Sequence, residues 1–433
     1  MRSVERAIGS DQWKLAASVE AALEILFAGP EDVPLNFQEA WSGFPMTASR
    51  IVRAERWRET RQLAIQAGYH HLHRFVLLPS RKNTRWLAPL AEGKAITNAL
   101  DMYPSFSRRA RLYKSYAAGM AMMGWPGRSA DTVLIASKQK FAIERLITEV
   151  TGESRPRFAL LLGTELATRK LTVQVMRPAG EVLGYLKLPL ARRASDCIRH
   201  EAGILARLNE DPRTRNHVPR LLHACDWNDG YLLFQAPVLG RPGPVRFTSL
   251  HENFLHTLHA VRSFDVPGRQ LVRSVGDGLK EVLARLGGEW RELAGDALAV
   301  AGRELENCEV RCGLSHGDFA PWNTRASGEN LYLFDWERAS WEAPLLWDRF
   351  HFLTQTRSLL RCGIGPEGFE DFTPDKRALY ILYLLSSVSQ LVDDQAKASD
   401  IAFRKQELQR QLMAIASPDG RETSLFVERK ITA

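Results

Sequence analysis

The stretch Leu314–Glu337, LSHGDFAPWNTRASGENLYLFDWE, constrains the fold of this chain more than any other, because it sets chemistry-bearing side chains on a loop and a short strand. Pro321 disrupts a helix here, and a glycine-containing turn precedes the apolar run Leu331–Phe334. Asp318 is followed five residues later by Asn323, and the apolar run ends in a second aspartate, Asp335. That pattern suits phosphoryl transfer. Asp318 can take or orient the proton of an attacking hydroxyl, while Asn323 and Asp335 hold magnesium against the phosphates of ATP. His316 reads as a support for the loop rather than a proton carrier.

The bulk of the chain admits such an enzyme. Its 433 residues, 45% hydrophobic and 25% charged, have the balance of a globular protein with roughly two to three domains. The best apolar stretch, Tyr380–Val392, carries Ser386, Ser387, Ser389 and Gln390, so no integral membrane segment is expected. Glu5, Arg6, Asp11 and Lys14 interrupt any secretory apolar run, and a cytoplasmic location is the expectation. Five cysteines, Cys197, Cys225, Cys308, Cys312 and Cys362, argue against a disulfide framework, and Cys308 with Cys312 lacks the second pair that zinc needs.

Charge is unevenly placed. Residues 1–150 hold 21 Lys plus Arg against 14 Asp plus Glu, whereas the remainder holds 37 against 36. The densest part runs through Arg50, Arg53, Arg56, Arg58, Arg61, Arg74, Arg81, Lys82 and Arg85, interleaved with Trp57, Tyr69 and Trp86. It reads as a solvated helix face with a basic loop, or as a surface for an anionic substrate or phospholipid headgroups; nucleic acid is the less expected partner.

Periodicity predicts helices over Asp11–Phe27, Ala54–Ala67 and Ser105–Met123 and a strand over His73–Leu78. The rhythm changes near Ser137. An amphipathic helix, Lys138–Val150, is followed by strands at Phe158–Leu162, Leu171–Met176 and Val182–Leu188, then a helix from an N-cap at Ser195 to Leu208. Strands at Val218–Cys225 and Tyr231–Phe234 complete an expected five-stranded antiparallel sheet. From Thr248 onward the chain reads as mainly helical, interrupted only by the stretch described first.

This order, with HGDFAPWN and FDWE in the helical part, resembles the aminoglycoside phosphotransferase and choline kinase family over roughly residues 137–420. The resemblance implies an α+β, bilobal protein-kinase-like fold: a small antiparallel sheet lobe plus a helical lobe, here with an additional N-terminal mixed α/β region. The expected domains are residues 1–136, 137–240 and 241–433. The catalytic base would be Asp318, and the magnesium ligands Asn323 and Asp335, with Glu337 helping through water. Lys187 would reach the ATP phosphates, oriented by Glu201 on the following helix. The phosphate-covering loop would be residues 163–170, with Gly163 and Thr164 at the phosphates, and the linker after Phe234 would meet adenine through the backbone of Ala236 and Val238, since Pro237 has no N–H.

Two departures from protein kinases point to a small-molecule acceptor. Gly317 stands where an arginine would read a phosphorylated loop, and Ala320 where a lysine is usual; the span from Asp335 to Asp348 is also too short for a peptide platform. Asp348 is expected to brace the catalytic loop. The acceptor is a sugar, amino alcohol, aminoglycoside or related metabolite, with Glu367, Glu370, Asp371, Asp393 and Asp394 as acids available to line its pocket. The alternative is a catalytically silent nucleotide-binding scaffold or regulatory protein of the same fold.

Other chemistries fit poorly. Gly313-Leu314-Ser315-His316-Gly317 matches the hydrolase GxSxG, but residues 309–312 make a poor strand and no helix follows. His251-Glu252 misses the zinc-protease pattern, because His256 falls one residue late.

Overall fold

The computed structural model describes residues 16–28, 47–53, 57–89, 94–102, 112, 114–116, 119, 131–238, 240–360 and 372–416. Of the helix expected over Ser105–Met123, only residues 112, 114–116 and 119 are among these, and they are helical. Glu367, Glu370 and Asp371 lie outside the described residues.

The chain divides into two compact units, one made of the described residues up to Val261 together with His316–Ala339, the other of Arg262–Ser315 and the described residues from Ser340 onward. The first begins with α1 (Ala17–Phe27), β1 (Thr47–Arg53), α2 (Trp57–Gln66), β2 (His71–Leu78), β3 (Trp86–Pro89), α3 (Lys94–Leu100) and β4 (Asp131–Ser137). It continues through α4 (Ala142–Thr151), β5 (Arg157–Leu162), β6 (Lys170–Met176), β7 (Val182–Pro189), α5 (Arg192–Glu210), β8 (Leu221–Trp227) and β9 (Gly230–Gln235). These strands form one antiparallel sheet in the order β1-β4-β2-β3-β5-β6-β7-β9-β8.

Nine strands replace the five expected, because β3 pairs with β5 through Trp86–Leu161 and Leu87–Leu160 and so joins the N-terminal strands to the rest. Alternation explains the layering. In β6, Leu171, Val173 and Val175 turn to one face, where they join Phe75, Phe158, Leu186 and Phe234 under α1 and α4. Each fully buried side chain of this kind contributes about 1.5–3 kcal/mol. The opposite face carries Lys170, Thr172 and Gln174 on β6, and at its β3–β5 end Ala88 and Ala159 pack against Ala95 and Ala99 of α3.

Two helix starts differ from expectation for local reasons. The Glu144 carboxylate accepts the N–H of Phe141 at 3.0 Å, which delays α4 to Ala142. Leu190 and Ala191 both donate to the Arg169 carbonyl, at 3.0 and 3.1 Å, so α5 begins at Arg192 and Ser195 lies inside it rather than at its cap. The first unit also contains β10 (Arg241–Pro242) and α6 (Ser249–His259). His251 caps α6: its Nδ1 accepts the Thr248 N–H at 3.0 Å, and burial lowers its pKa to about 4, which leaves the ring neutral for that task.

The second unit opens with β11 (Ser263–Pro267), α7 (Gly268–Leu286), α8 (Gly288–Leu305) and β12 (Glu309–Ser315). Residues 309–312 are a strand after all. Val310, Cys312 and Leu314 alternate inward while Glu309 and Arg311 face outward, and β12 pairs on one side with β11. The hairpin of the first unit, β13 (Thr324–Ser327) and β14 (Asn330–Leu333), pairs with β10. The second unit resumes with β15 (Ser340–Pro344), which pairs with the other side of β12, then α9 (Leu346–Leu360), α10 (Pro374–Asp393) and α11 (Ala398–Ala416). Asp393 forms an ion pair with Arg285 of α7.

Candidate functional site

A hairpin brings the two metal-type residues together. Pro321–Asn323 form a short 3-10 turn, and pairing of Thr324 with Leu333 across β13 and β14 sets Asn323 opposite the exit of β14. The Phe334 N–H then donates to the Asn323 carbonyl at 3.1 Å, one residue before Asp335. Asp335 has φ of +73°, a left-handed conformation that costs a non-glycine residue energy and turns the chain sharply at the carboxylate.

On the other side of that hairpin, the Asn323 amide donates through Nδ2 to the Asp318 carbonyl at 2.9 Å and to Asp318 Oδ2 at 2.8 Å. The amide is thereby oriented, with its oxygen turned away from Asp318. His316, fully buried, accepts the Asp318 N–H on Nδ1 at 3.2 Å and donates from Nε2 to the Phe334 carbonyl at 3.1 Å. Those two bonds require the proton on Nε2 and suit the supporting role read for His316. Its ring also meets the edge of Trp336, with centroids 4.7 Å apart.

Gly317 has a backbone reason for being glycine. Its φ is +76°, and a Cβ there would come within 2.2 Å of the Arg338 carbonyl oxygen. In the second unit, Ser315 donates to Asp348 Oδ1 at 2.9 Å, and both side chains are buried. That bond employs the GxSxG serine as a brace.

The sheet supplies the cations. Lys187 on β7 and Glu201 on α5 are buried, and the Lys187 ammonium lies 2.6 and 2.7 Å from the two Glu201 oxygens and 2.8 Å from Asp335 Oδ1. Glu201 is held in turn by the Trp336 N–H, which donates to its Oε1 at 3.1 Å. Three separate segments therefore meet at one ion cluster. The sequence singled out each of these residues, and the fold joins them.

Sequence reasoning counted Lys170 only as the last residue of the phosphate-covering loop and missed its place in the ion cluster. This first residue of β6 bonds Asp335 Oδ1 through its ammonium and sits 2.9 Å from Glu337 Oε2. The Glu337 contact is an ion pair rather than a directed hydrogen bond. Glu337, expected to assist a metal through water, faces Lys170. The signal was available in part. Lys170, Thr172 and Gln174 are the polar half of an alternating strand, and Thr172 opposite Lys187 puts that half on the Lys187 face. Without the register, nothing distinguishes Lys170 from a surface lysine.

The cluster holds two ammoniums and three carboxylates. Burial works against the charge on Asp335, but Lys170 and Lys187 outweigh it and hold its carboxyl far below the usual range. Burial likewise disfavours the Lys170 charge, and Asp335, Glu337 and Glu201 outweigh it, so the ammonium persists well above the ordinary lysine pKa. The surplus acid shows at Glu337, whose carboxyl is pushed up by burial and by Asp335 and Glu201.

The loop and linker are more open. Gly163 lies against Lys170, where a Cβ would approach the Lys170 carbonyl oxygen to 2.6 Å, and Thr164 is exposed. The Ala236 N–H donates to the Arg220 carbonyl at 2.8 Å, which leaves its carbonyl as the more available group for a ligand. Val238 is half-buried in irregular backbone.

No family model matches the chain, and no curated protein does. Among solved structures it is similar to a thermostable mutant of aminoglycoside phosphotransferase APH(4)-Ia in a ternary complex with ADP and hygromycin B, at 14% identity over 64% of this chain and 99% of that one, with a TM-score of 0.46. A GDP complex of an aminoglycoside 2'-phosphotransferase-IIIa matches at 12% identity over 63% and 97%, with a TM-score of 0.43. A choline/ethanolamine kinase family protein from Mesorhizobium loti matches at 16% over 60% and 88%, with a TM-score of 0.36. No helix among the described residues is long and apolar enough to cross a membrane.

Proposed function

We propose that this chain transfers a phosphoryl group from ATP to a hydroxyl of a small molecule, a sugar, amino alcohol, aminoglycoside or related metabolite. The observation that carries this reading is the meeting of Lys187, Glu201 and Asp335, at 2.6–2.8 Å, on the same unit as the bonded pair Asp318–Asn323. An ammonium braced by a buried carboxylate suits the phosphates, and Asp318 suits the acceptor hydroxyl.

The donor set fits magnesium. Asp335 offers a carboxylate, and Asn323, with its Nδ2 bonded to Asp318, offers an amide oxygen; both are the hard oxygens that this ion takes. When bound, magnesium supplies charge neutralisation and alignment of the phosphates. The protein does the rest. Asp318 orients the acceptor hydroxyl and takes up its proton, Lys187 fixes phosphate oxygens, the loop backbone at Gly163 and Thr164 covers them, and the Ala236 and Val238 backbone receives the base. The basic N-terminal part would face an anionic portion of the substrate or an anionic surface.

A silent nucleotide-binding scaffold is favoured by one observation, that two lysines sit on the carboxylate a metal would need. Magnesium-dependent transfer from labelled ATP across an acceptor panel separates the two. Asp318→Ala should retain ATP binding and lose about 100-fold or more in turnover. ATP binding by the native protein with no phosphorylation of any acceptor or of water would favour the scaffold.

A further inference from the structure

The phosphate end of the site contains one cation more than the proposed reaction has used. Lys170 and Lys187 both contact Oδ1 of Asp335, the carboxylate assigned to magnesium. Magnesium binds carboxylate oxygen at about 2.0–2.1 Å and demands near-octahedral room around itself. A divalent ion cannot share that one oxygen with two ammoniums at hydrogen-bond distance. Oδ2 of the same carboxylate remains, but use of both Asp335 oxygens by the ion requires one of the lysines to move.

Their surroundings decide which. Lys187 is 5% exposed and gripped by both oxygens of the fully buried Glu201, itself tied to the Trp336 N–H. Lys170 is 15% exposed, and apart from Asp335 its partner is Glu337 Oε2, in a pair that lacks hydrogen-bond direction. Lys170 also begins β6 directly after the loop of residues 163–169, in which Thr164 and Glu165 are exposed. Its stem is long, flexible and placed where that loop meets the carboxylates.

Charge supplies the direction of travel. Three carboxylates already outnumber the two ammoniums, so a polyphosphate arriving there raises the negative excess unless each available cation turns to it. Moving Lys170 from Asp335 to a phosphate oxygen frees the metal ligand and neutralises the newcomer in the same displacement.

We propose that Lys170 is a second phosphate-binding lysine, parked on Asp335 and Glu337 in the nucleotide-free protein and transferred to phosphate oxygens when magnesium nucleotide binds. This deepens the phosphotransferase reading and rests on it.

Two measurements test it. In the native protein, an acyl phosphate derivative of ATP, which acylates lysines lying against its phosphates, should modify Lys170 as well as Lys187, and excess magnesium-ATP should protect both. Modification of Lys187 with Lys170 untouched overturns the proposal. Calorimetric titration of Lys170→Gln should show ATP affinity reduced about tenfold or more, with AMP affinity held within about twofold, because only the longer nucleotide presents phosphates to Lys170. Lys170→Arg should restore most of the loss. Manganese binding to the nucleotide-free protein, followed by electron paramagnetic resonance, should tighten in Lys170→Gln, since a competitor for Asp335 has gone. A purely structural lysine would weaken both ligands alike. An unchanged ATP-to-AMP ratio overturns the role of Lys170 and leaves the phosphotransferase reading standing; a native protein that takes up neither ATP nor its acyl phosphate overturns both.

Discussion

Lys187 and Glu201 show what a buried ion pair does for the backbone around it. Glu201 satisfies an ammonium on a strand and the Trp336 N–H beside Asp335, so one carboxylate fixes both the cation and the sharp turn that presents the metal-type ligand. Removing it leaves the buried Lys187 ammonium with Asp335 alone. Glu201→Ala is therefore expected to cost about 3–5 kcal/mol of folding stability, read from denaturant unfolding. Glu201→Gln, which can still accept the Trp336 N–H, should cost less and lose chiefly nucleotide affinity; equal losses in the two variants would mean that the charge on Glu201 carries the whole effect and the bond from Trp336 contributes nothing. These residues were legible in the sequence because each sits in a local pattern: a lysine near a strand end, a glutamate among leucines at helical spacing, an aspartate closing an apolar run. Lys170 was not, because its membership of the cluster depends on which residue of β7 it lies beside. Gly317 was read as the absence of an arginine, whereas the positive φ and the Arg338 carbonyl oxygen show that no side chain fits there.

Elements were legible where alternation or helical period was clean, and obscured where polar residues occupied one face. The charges at Glu309 and Arg311 hid β12, although Val310, Cys312 and Leu314 carry the period of a strand. A comparable mixture of polar and apolar roles joins β2 to α4. Glu144, 5% exposed, is 3.0 Å from His73 Nε2 and 3.4 Å from His71 Nδ1, and it also caps α4 through the Phe141 N–H. Burial alone would raise its carboxyl, but the His73 hydrogen bond and charge, the Phe141 N–H and the His71 charge outweigh it and hold the pKa below the usual 4.5. A carboxyl depressed on folding contributes stability above its unfolded pKa, and that contribution is lost as pH falls through the folded value. The attachment of α4 to β2 should consequently weaken below about pH 4.5. Glu144→Gln should lower stability at neutral pH by about 1–3 kcal/mol and flatten the acid limb of melting temperature against pH. An acid limb identical to that of the native protein would assign the acid sensitivity to other carboxylates.

At the scale of the whole molecule, the joining of the N-terminal strands to the rest is the feature least accessible to sequence. β4 lies between β1 and β2, and β3 meets β5 across an interval that contains α3, β4 and α4, so no local pattern announces the pairing. Its physical consequence is a shared interior. Phe27 of α1 meets Phe141 at 4.9 Å and Phe158 at 5.7 Å between ring centroids, and the Ile25 carbonyl accepts the indole N–H of Trp227 at 2.8 Å. A chain beginning at Ser137 would lose α1 and β1–β4, leave Phe141, Phe158 and Leu160 facing water, and open the edge of β5. Such a truncation is expected to aggregate or fail to melt cooperatively, rather than to bind nucleotide as an autonomous unit. Phe27→Ala in the full chain offers a milder test of the same interior, with an expected loss of about 3–5 kcal/mol in denaturant unfolding. A monomeric, cooperatively melting fragment from Ser137 onward, together with a near-neutral Phe27→Ala, would show that the N-terminal strands adorn the sheet without supporting it. The role of their basic surplus could then be sought in the substrate or surface they face, free of any effect on stability.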